Sequence, residues 1–151
     1  MNLEERINED IKTAIKSREK EKLEALRAIK SAILLAKTEK GYAGTLDEQA
    51  EFKLLQKLVK QRKDSAEIYR DQKREDLAEK EVFEAEVIGS YLPEQLDDDE
   101  LKEQLEQVIR NEGASSMADM GRIMSIASKQ FAGKAEGKKI AGLVRSLLSG
   151  D

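Results

Sequence analysis

Residues 85–109 read AEVIGSYLPEQLDDDELKEQLEQVI, and the architecture turns on this stretch. Ala85, Ile88 and Tyr91 recur at helical spacing. Leu92-Pro93 then stops the helix, because the residue before a proline is pushed out of the helical region. Asp97, with Glu100 three residues on, has the spacing of a capping box with Asp in place of Ser or Thr. Leu101, Leu105, Val108 and Ile109 resume an apolar stripe on a new helix. A stop, a short polar segment and a fresh start mark a domain boundary. The reading places a four-helix N-terminal domain at 1–93 and a three-helix C-terminal domain at 94–151.

The same periodicity extends in both directions. Leu3, Ile7, Ile11, Ala14 and Ile15 give a first helix, with a break near Ser17–Lys20. Leu23, Leu26, Ile29, Ile33 and Ala36 give a second, ended by Gly41-Tyr42-Ala43-Gly44. A third starts near Asp47 and carries Phe52, Leu55, Val59, Ala66 and Tyr69. The fourth takes Leu77, Ala85, Ile88 and Tyr91 as its inner stripe. Beyond the boundary helix, which ends at Asn111-Glu112-Gly113, Ser115 or Ser116 can cap a sixth helix with Met117, Met120, Ile123, Met124, Ala127 and Phe131. Gly133 to Gly137 make a turn into a seventh with Ile140, Leu143, Val144, Leu147 and Leu148. No stretch alternates with period two, so the expected fold class is all-α, an N-terminal helical bundle plus a small C-terminal three-helix domain.

Composition narrows function. The 151 residues contain no Cys, no His and no Trp, and Pro93 is the single proline. No disulfide framework, thiol nucleophile, imidazole base or His-based metal site can be built from such a chain. The apolar runs are far short of the ~20 residues a membrane-spanning helix needs. The acidic, amphipathic start MNLEERINED is wrong for a signal peptide, so a cytoplasmic protein is expected. Catalytic residues, cofactor and metal are all expected to be absent.

Charge is unevenly spread under a net −4. Residues 53–74 hold eight Lys/Arg against three Asp/Glu, whereas residues 75–112 hold three against fourteen. Residues 113–151 return to six against three, so an acidic chain can still offer basic faces to a polyanion. Two charges interrupt apolar stripes, Arg62 on the third helix and Glu81 on the fourth. A charge at a helix interface is costly unless paired, so these two are expected to form a structural ion pair. Gly121 and Gly142 sit within helices, which suggests close packing against another backbone. The Gly133–Lys139 segment joins a glycine turn, a helix N-terminus and three lysines, a plausible seat for a phosphate. It lacks P-loop spacing, and no Ser or Thr follows its lysine.

Several segments together resemble one family. They are Leu26-Arg27; Lys60-Gln-Arg-Lys-Asp-Ser65; Arg74-Glu-Asp-Leu-Ala78 with Glu81; Tyr91-Leu-Pro-Glu-Gln-Leu96; Asp119-Met-Gly-Arg-Ile-Met124; and Gly133-Lys-Ala-Glu-Gly137. In this order they resemble the YqeY family, the free-standing relative of the C-terminal tail of the GatB subunit of tRNA-dependent amidotransferases. Glu136 departs from the family's usual Asp, a conservative change. The resemblance implies a two-part helical fold and contact with the body of a tRNA. It also carries, by association, a label of carbon–nitrogen ligase activity with glutamine as amide donor. The chain holds neither the kinase-like domain nor the amidase signature of that machinery.

The expected function is therefore a non-catalytic module that binds tRNA or associates with amidotransferase or aminoacylation components, without membrane or metal. The alternative is a helical protein-interaction adaptor without RNA affinity; an enzyme is the third and weakest reading. The expected RNA surface combines Arg122 and Lys129, seven residues apart on one helix face, with Lys134, Lys138 and Lys139 around the glycine turn. With only six aromatics and no Trp, contacts to backbone and shape are expected rather than base stacking.

Overall fold

The computed structural model describes residues 1–39 and 46–150, and the glycine pair Gly41 and Gly44 lies outside them. Among the described residues there are seven α-helices and no strand. They are α1 (Leu3–Lys16), α2 (Lys20–Glu39), α3 (Glu48–Asp71), α4 (Glu75–Gly89), α5 (Asp98–Glu112), α6 (Met120–Gln130) and α7 (Gly137–Ser149). A short 3-10 turn, Met117–Asp119, leads into α6. The chain divides into two compact units, Met1–Leu92 and Pro93–Asp151.

In the N-terminal unit, Asn2 caps α1 and Asp47 caps α3, their side chains accepting from the backbone N–H of Glu5 and Ala50. The α1–α2 and α3–α4 turns use the same device. Arg18 and Lys73 adopt left-handed backbone with φ near 57° and 61°. Glu19 N–H donates to the Ala14 carbonyl and Arg74 N–H to the Tyr69 carbonyl, so each helix ends in a Schellman motif. The core gathers Leu3, Ile7, Leu26, Ile29, Ile33, Leu55, Ile88 and Tyr91. The α3–α4 pair is seamed by small residues, with Ala66, Ala78 and Ala85 buried. Tyr91, just past the end of α4, donates its hydroxyl to Asp10 and lies under the Arg6 guanidinium, 5.1 Å from its ring centre. Burial and the Asp10 carboxylate hold the Tyr91 phenol well above its ordinary pKa.

In the C-terminal unit, Asp97 caps α5 by accepting from Glu100 N–H at 2.8 Å. Gly113 ends that helix at φ 65°, and Ala114 N–H donates to the Ile109 carbonyl, the same motif as in the other unit with glycine in the strained place. Leu101, Leu105, Ile123, Ala127, Phe131, Ile140 and Val144 form the core.

Two expectations fail here. A Cβ at Gly121 or Gly142 would meet nothing within 4 Å, so neither glycine marks a close approach of backbones. Both face outward on their helices, where a missing side chain signals nothing about packing. Met117 is 43% exposed. It sits in the 3-10 turn ahead of α6, so the α6 stripe begins at Met120.

Candidate nucleic-acid interface

The glycine turn between α6 and α7 is pinned by the segment that opens the C-terminal unit. Leu96 N–H donates to the Lys134 carbonyl at 3.0 Å. The Gln95 carboxamide donates to the Pro93 and Gly133 carbonyls at 2.8 and 2.6 Å. Lys134 N–H closes the turn on the Phe131 carbonyl, and Phe131 is buried in the core. Lys134 therefore projects from a fixed backbone, and α7 starts three residues later with Lys138 and Lys139 in its first turn.

The five cations of the expected RNA surface divide into two groups. Arg122 donates to the Glu112 carbonyl at 2.9 Å and to Asp119 at 3.1 Å, with the Glu112 carboxylate at 3.6 Å. It thus ties the end of α5 to the start of α6. Asp119 also accepts from Ser115 N–H at 3.1 Å, and these donors, the Ser115 N–H first, hold its carboxyl below the ordinary carboxylate value. Lys139 meets Asp98 at 3.0 Å, which raises its pKa. Lys129, Lys134 and Lys138 are exposed and have no carboxylate partner among the described residues. Seven-residue spacing puts Arg122 and Lys129 on one face, but spacing alone does not reveal which cation already has a counter-charge from another helix.

The ion pair is displaced by one helical turn from its expected place. Arg62 pairs with Glu84 at 3.4 Å, and both side chains are largely covered, at 18% and 14% exposure. Glu81 and Glu84 are three apart on α4 and share the face toward α3, so stripe interruption identifies the face and picks the wrong member. Glu81 stays close enough to feel both: burial and the Glu84 charge raise its pKa, and Arg62 lowers it. The Arg62 Nε is buried and makes no hydrogen bond, so the pair is coulombic without a well-aligned fork.

Among the described residues no group of three or more acidic side chains is placed to hold a metal ion. No helix among them is long and apolar enough to cross a membrane.

Comparison with known proteins follows the same outline. The family described as "Yqey-like protein" matches residues 4–148. The chain is 35% identical over 126 residues to "Altered inheritance of mitochondria protein 41, mitochondrial" of Pyrenophora tritici-repentis, covering 80% of this chain and 68% of that protein. It is 39% identical over 99 residues to the protein of the same name from Clavispora lusitaniae, covering 64% of this chain and 56% of the relative. A match running through both helical units identifies this chain as a member of the YqeY-like family.

Proposed function

We propose that this chain is a non-catalytic, cytoplasmic helical module that binds tRNA, alone or beside amidotransferase or aminoacylation components, through phosphate contacts made by its C-terminal unit. The observation that carries the reading is the trio Lys129, Lys134 and Lys138. These are cations without a counter-charge among the described residues, at the end of α6, on a backbone-pinned turn and in the first turn of α7. Each can reach a phosphate, and the α7 N-terminus adds a positive dipole end. The family's relation to the GatB tail supports the choice of tRNA over other polyanions. Arg122 and Lys139 keep structural duties and contribute little, since binding through them means breaking an existing pair.

A second reading, an interaction adaptor without RNA affinity, is favoured by the carboxylates that already neutralise two of the five cations. Filter binding of tRNA across a salt series separates the two. Three phosphate contacts predict weak binding whose logarithm falls with log salt at a slope of about −2 to −3. No retention of tRNA at low salt removes the RNA reading and leaves the adaptor.

A further inference from the structure

Helix α2 packs mainly on α1 and α4, and α3 runs along α4, so α2 and α3 barely touch each other. Their facing sides enclose a groove of about 370 Å³. Its apolar lining includes Ala32 and Leu35 from α2 and Leu54 and Leu58 from α3, while Lys53 and Lys57 stand on the α3 rim. Leu35 is 60% exposed and its neighbour Leu34 46%, although the rest of the α2 stripe is well covered. Exposed leucines beside a concave apolar surface mark a contact site more often than scattered surface residues do.

The chemistry of the groove defines its occupant. A groove between two helices with an alanine–leucine floor accepts a third helix, whose apolar anchors at i, i+4 and i+7 would fill the gap. The rim is basic on one side. Lys53 and Lys57 lie one turn apart without a carboxylate partner among the described residues, whereas Lys60, next on the same face, is paired with Asp64 at 3.5 Å. Glu39 is the one acidic lining residue among the described residues and stands on the α2 side. This chain's own acidic helices are poor candidates, since α4 and α5 turn Ala78, Ala85, Ile88, Leu101, Leu105 and Val108 into their own cores. We propose that the groove between α2 and α3 is the docking site for an acidic amphipathic helix of a partner protein. RNA fits the lysine rim but not the leucine floor.

The test uses the full chain, isotope-labelled, and synthetic helical peptides of about four turns. One carries Leu at i, i+4 and i+7 with Glu along one flank; a second has Lys for Glu; a third has Ser for Leu. The Glu–Leu peptide should bind with shifts confined to α2 and α3 amides, and the Lys version should bind at least about tenfold more weakly, as rim charges of like sign meet. The Ser version should not bind. Leu35→Asp alters an exposed position, so it should keep the parent's thermal midpoint while losing the peptide. The Lys53→Glu/Lys57→Glu double variant should prefer the Lys peptide. Equal affinity for the Glu and Lys peptides, or shifts mapping elsewhere, overturns the proposal. So does a concentration-dependent dimer abolished by Leu35→Asp, which assigns the groove to a second copy. Displacement of the peptide by tRNA also overturns it, assigning this face to RNA.

Discussion

The N-terminal unit seams α3 to α4 with Ala66, Ala78 and Ala85, whereas the C-terminal unit closes three helices around Phe131, Leu101, Leu105 and Ile140. Alanines let two helices approach closely but bury little apolar area per residue, so that seam holds only modest hydrophobic stabilisation. It also holds a charge pair, Arg62–Glu84, whose desolvation offsets much of its attraction. Among the described residues the C-terminal core contains no comparable pair; its ionic contacts, Arg122 with Asp119 and Lys139 with Asp98, sit at the rim. Large side chains fill both units, Ile7, Leu26, Ile29, Leu55 and Ile88 in one and Leu101, Leu105, Ile123, Phe131 and Val144 in the other, but the N-terminal unit also leaves apolar surface over between α2 and α3. The unit with apolar surface left over is the one suited to receive something.

The largest effect should come from the C-terminal core. Phe131→Ala removes a 1%-exposed side chain and should cost about 3–5 kcal/mol in the C-terminal unit. Hydrogen exchange should speed up across α5, α6 and α7 and stay unchanged in α1–α4. Equal acceleration in both units would break the comparison, because it would make them one cooperative body. Next comes the seam. Glu84→Ala strands a guanidinium that retains some solvent, so denaturant melts should show a loss of about 1–3 kcal/mol, below the ~3–5 of a fully buried pair. Adding Arg62→Met to that variant should restore most of the loss, and failure to do so would mean that the pair is worth more than its burial costs.

Smaller effects separate positions that look alike in sequence. Gly113→Ala should cost about 1–2 kcal/mol, because φ 65° places a Cβ against the following carbonyl. Gly142→Ala should instead gain about 0.5–1 kcal/mol, since the added Cβ meets nothing and the unfolded chain loses freedom. Thermal melts of the two variants should move in opposite directions.

The pH dependence has two opposite limbs. The Asp119 carboxyl is held below its ordinary value of 3.8, so its contribution is present above that pH and is lost as acid protonates it below. Asp119→Asn should therefore flatten the acid limb of stability. Glu81 is raised above 4.5, so its charged form opposes folding once the pH climbs past its folded value. Glu81→Gln should stabilise slightly at pH 7 and do nothing near pH 3, the smallest of these effects.

What the sequence revealed follows from the physics of each feature. Asp97 and Gly113 act locally through backbone geometry and mark real helix ends, whereas α4 ends at Gly89, four residues before Pro93. Arg18 and Lys73 occupy the same left-handed position as Gly113, but their side chains give no sign of it, because the packing of the flanking helices imposes the conformation. The face of α4 that meets α3 was legible from Glu81, but its true partner in the pair, Glu84, was not, since two carboxylates three apart share that face. The cations of α6 and α7 were legible as a group. Asp119, three residues before Arg122, was within reach of spacing, but the Lys139 counter-charge is Asp98 of α5, and no spacing within α7 contains that information. The groove escaped notice because Leu35, Leu54 and Leu58 fall beside the inner stripes, where a bundle of four equally packed helices would have covered them.

The most direct test compares the two units as RNA binders. Salt titrations of tRNA binding are measured for the parent chain, for the Lys129→Ala/Lys134→Ala/Lys138→Ala variant, and for a matched Lys53→Ala/Lys57→Ala/Lys63→Ala variant of the N-terminal unit. The account predicts that the C-terminal variant weakens binding and flattens the slope by about 2–3, while the N-terminal variant follows the parent. A parent-like slope in the C-terminal variant, or loss of the slope in the N-terminal one, would contradict it.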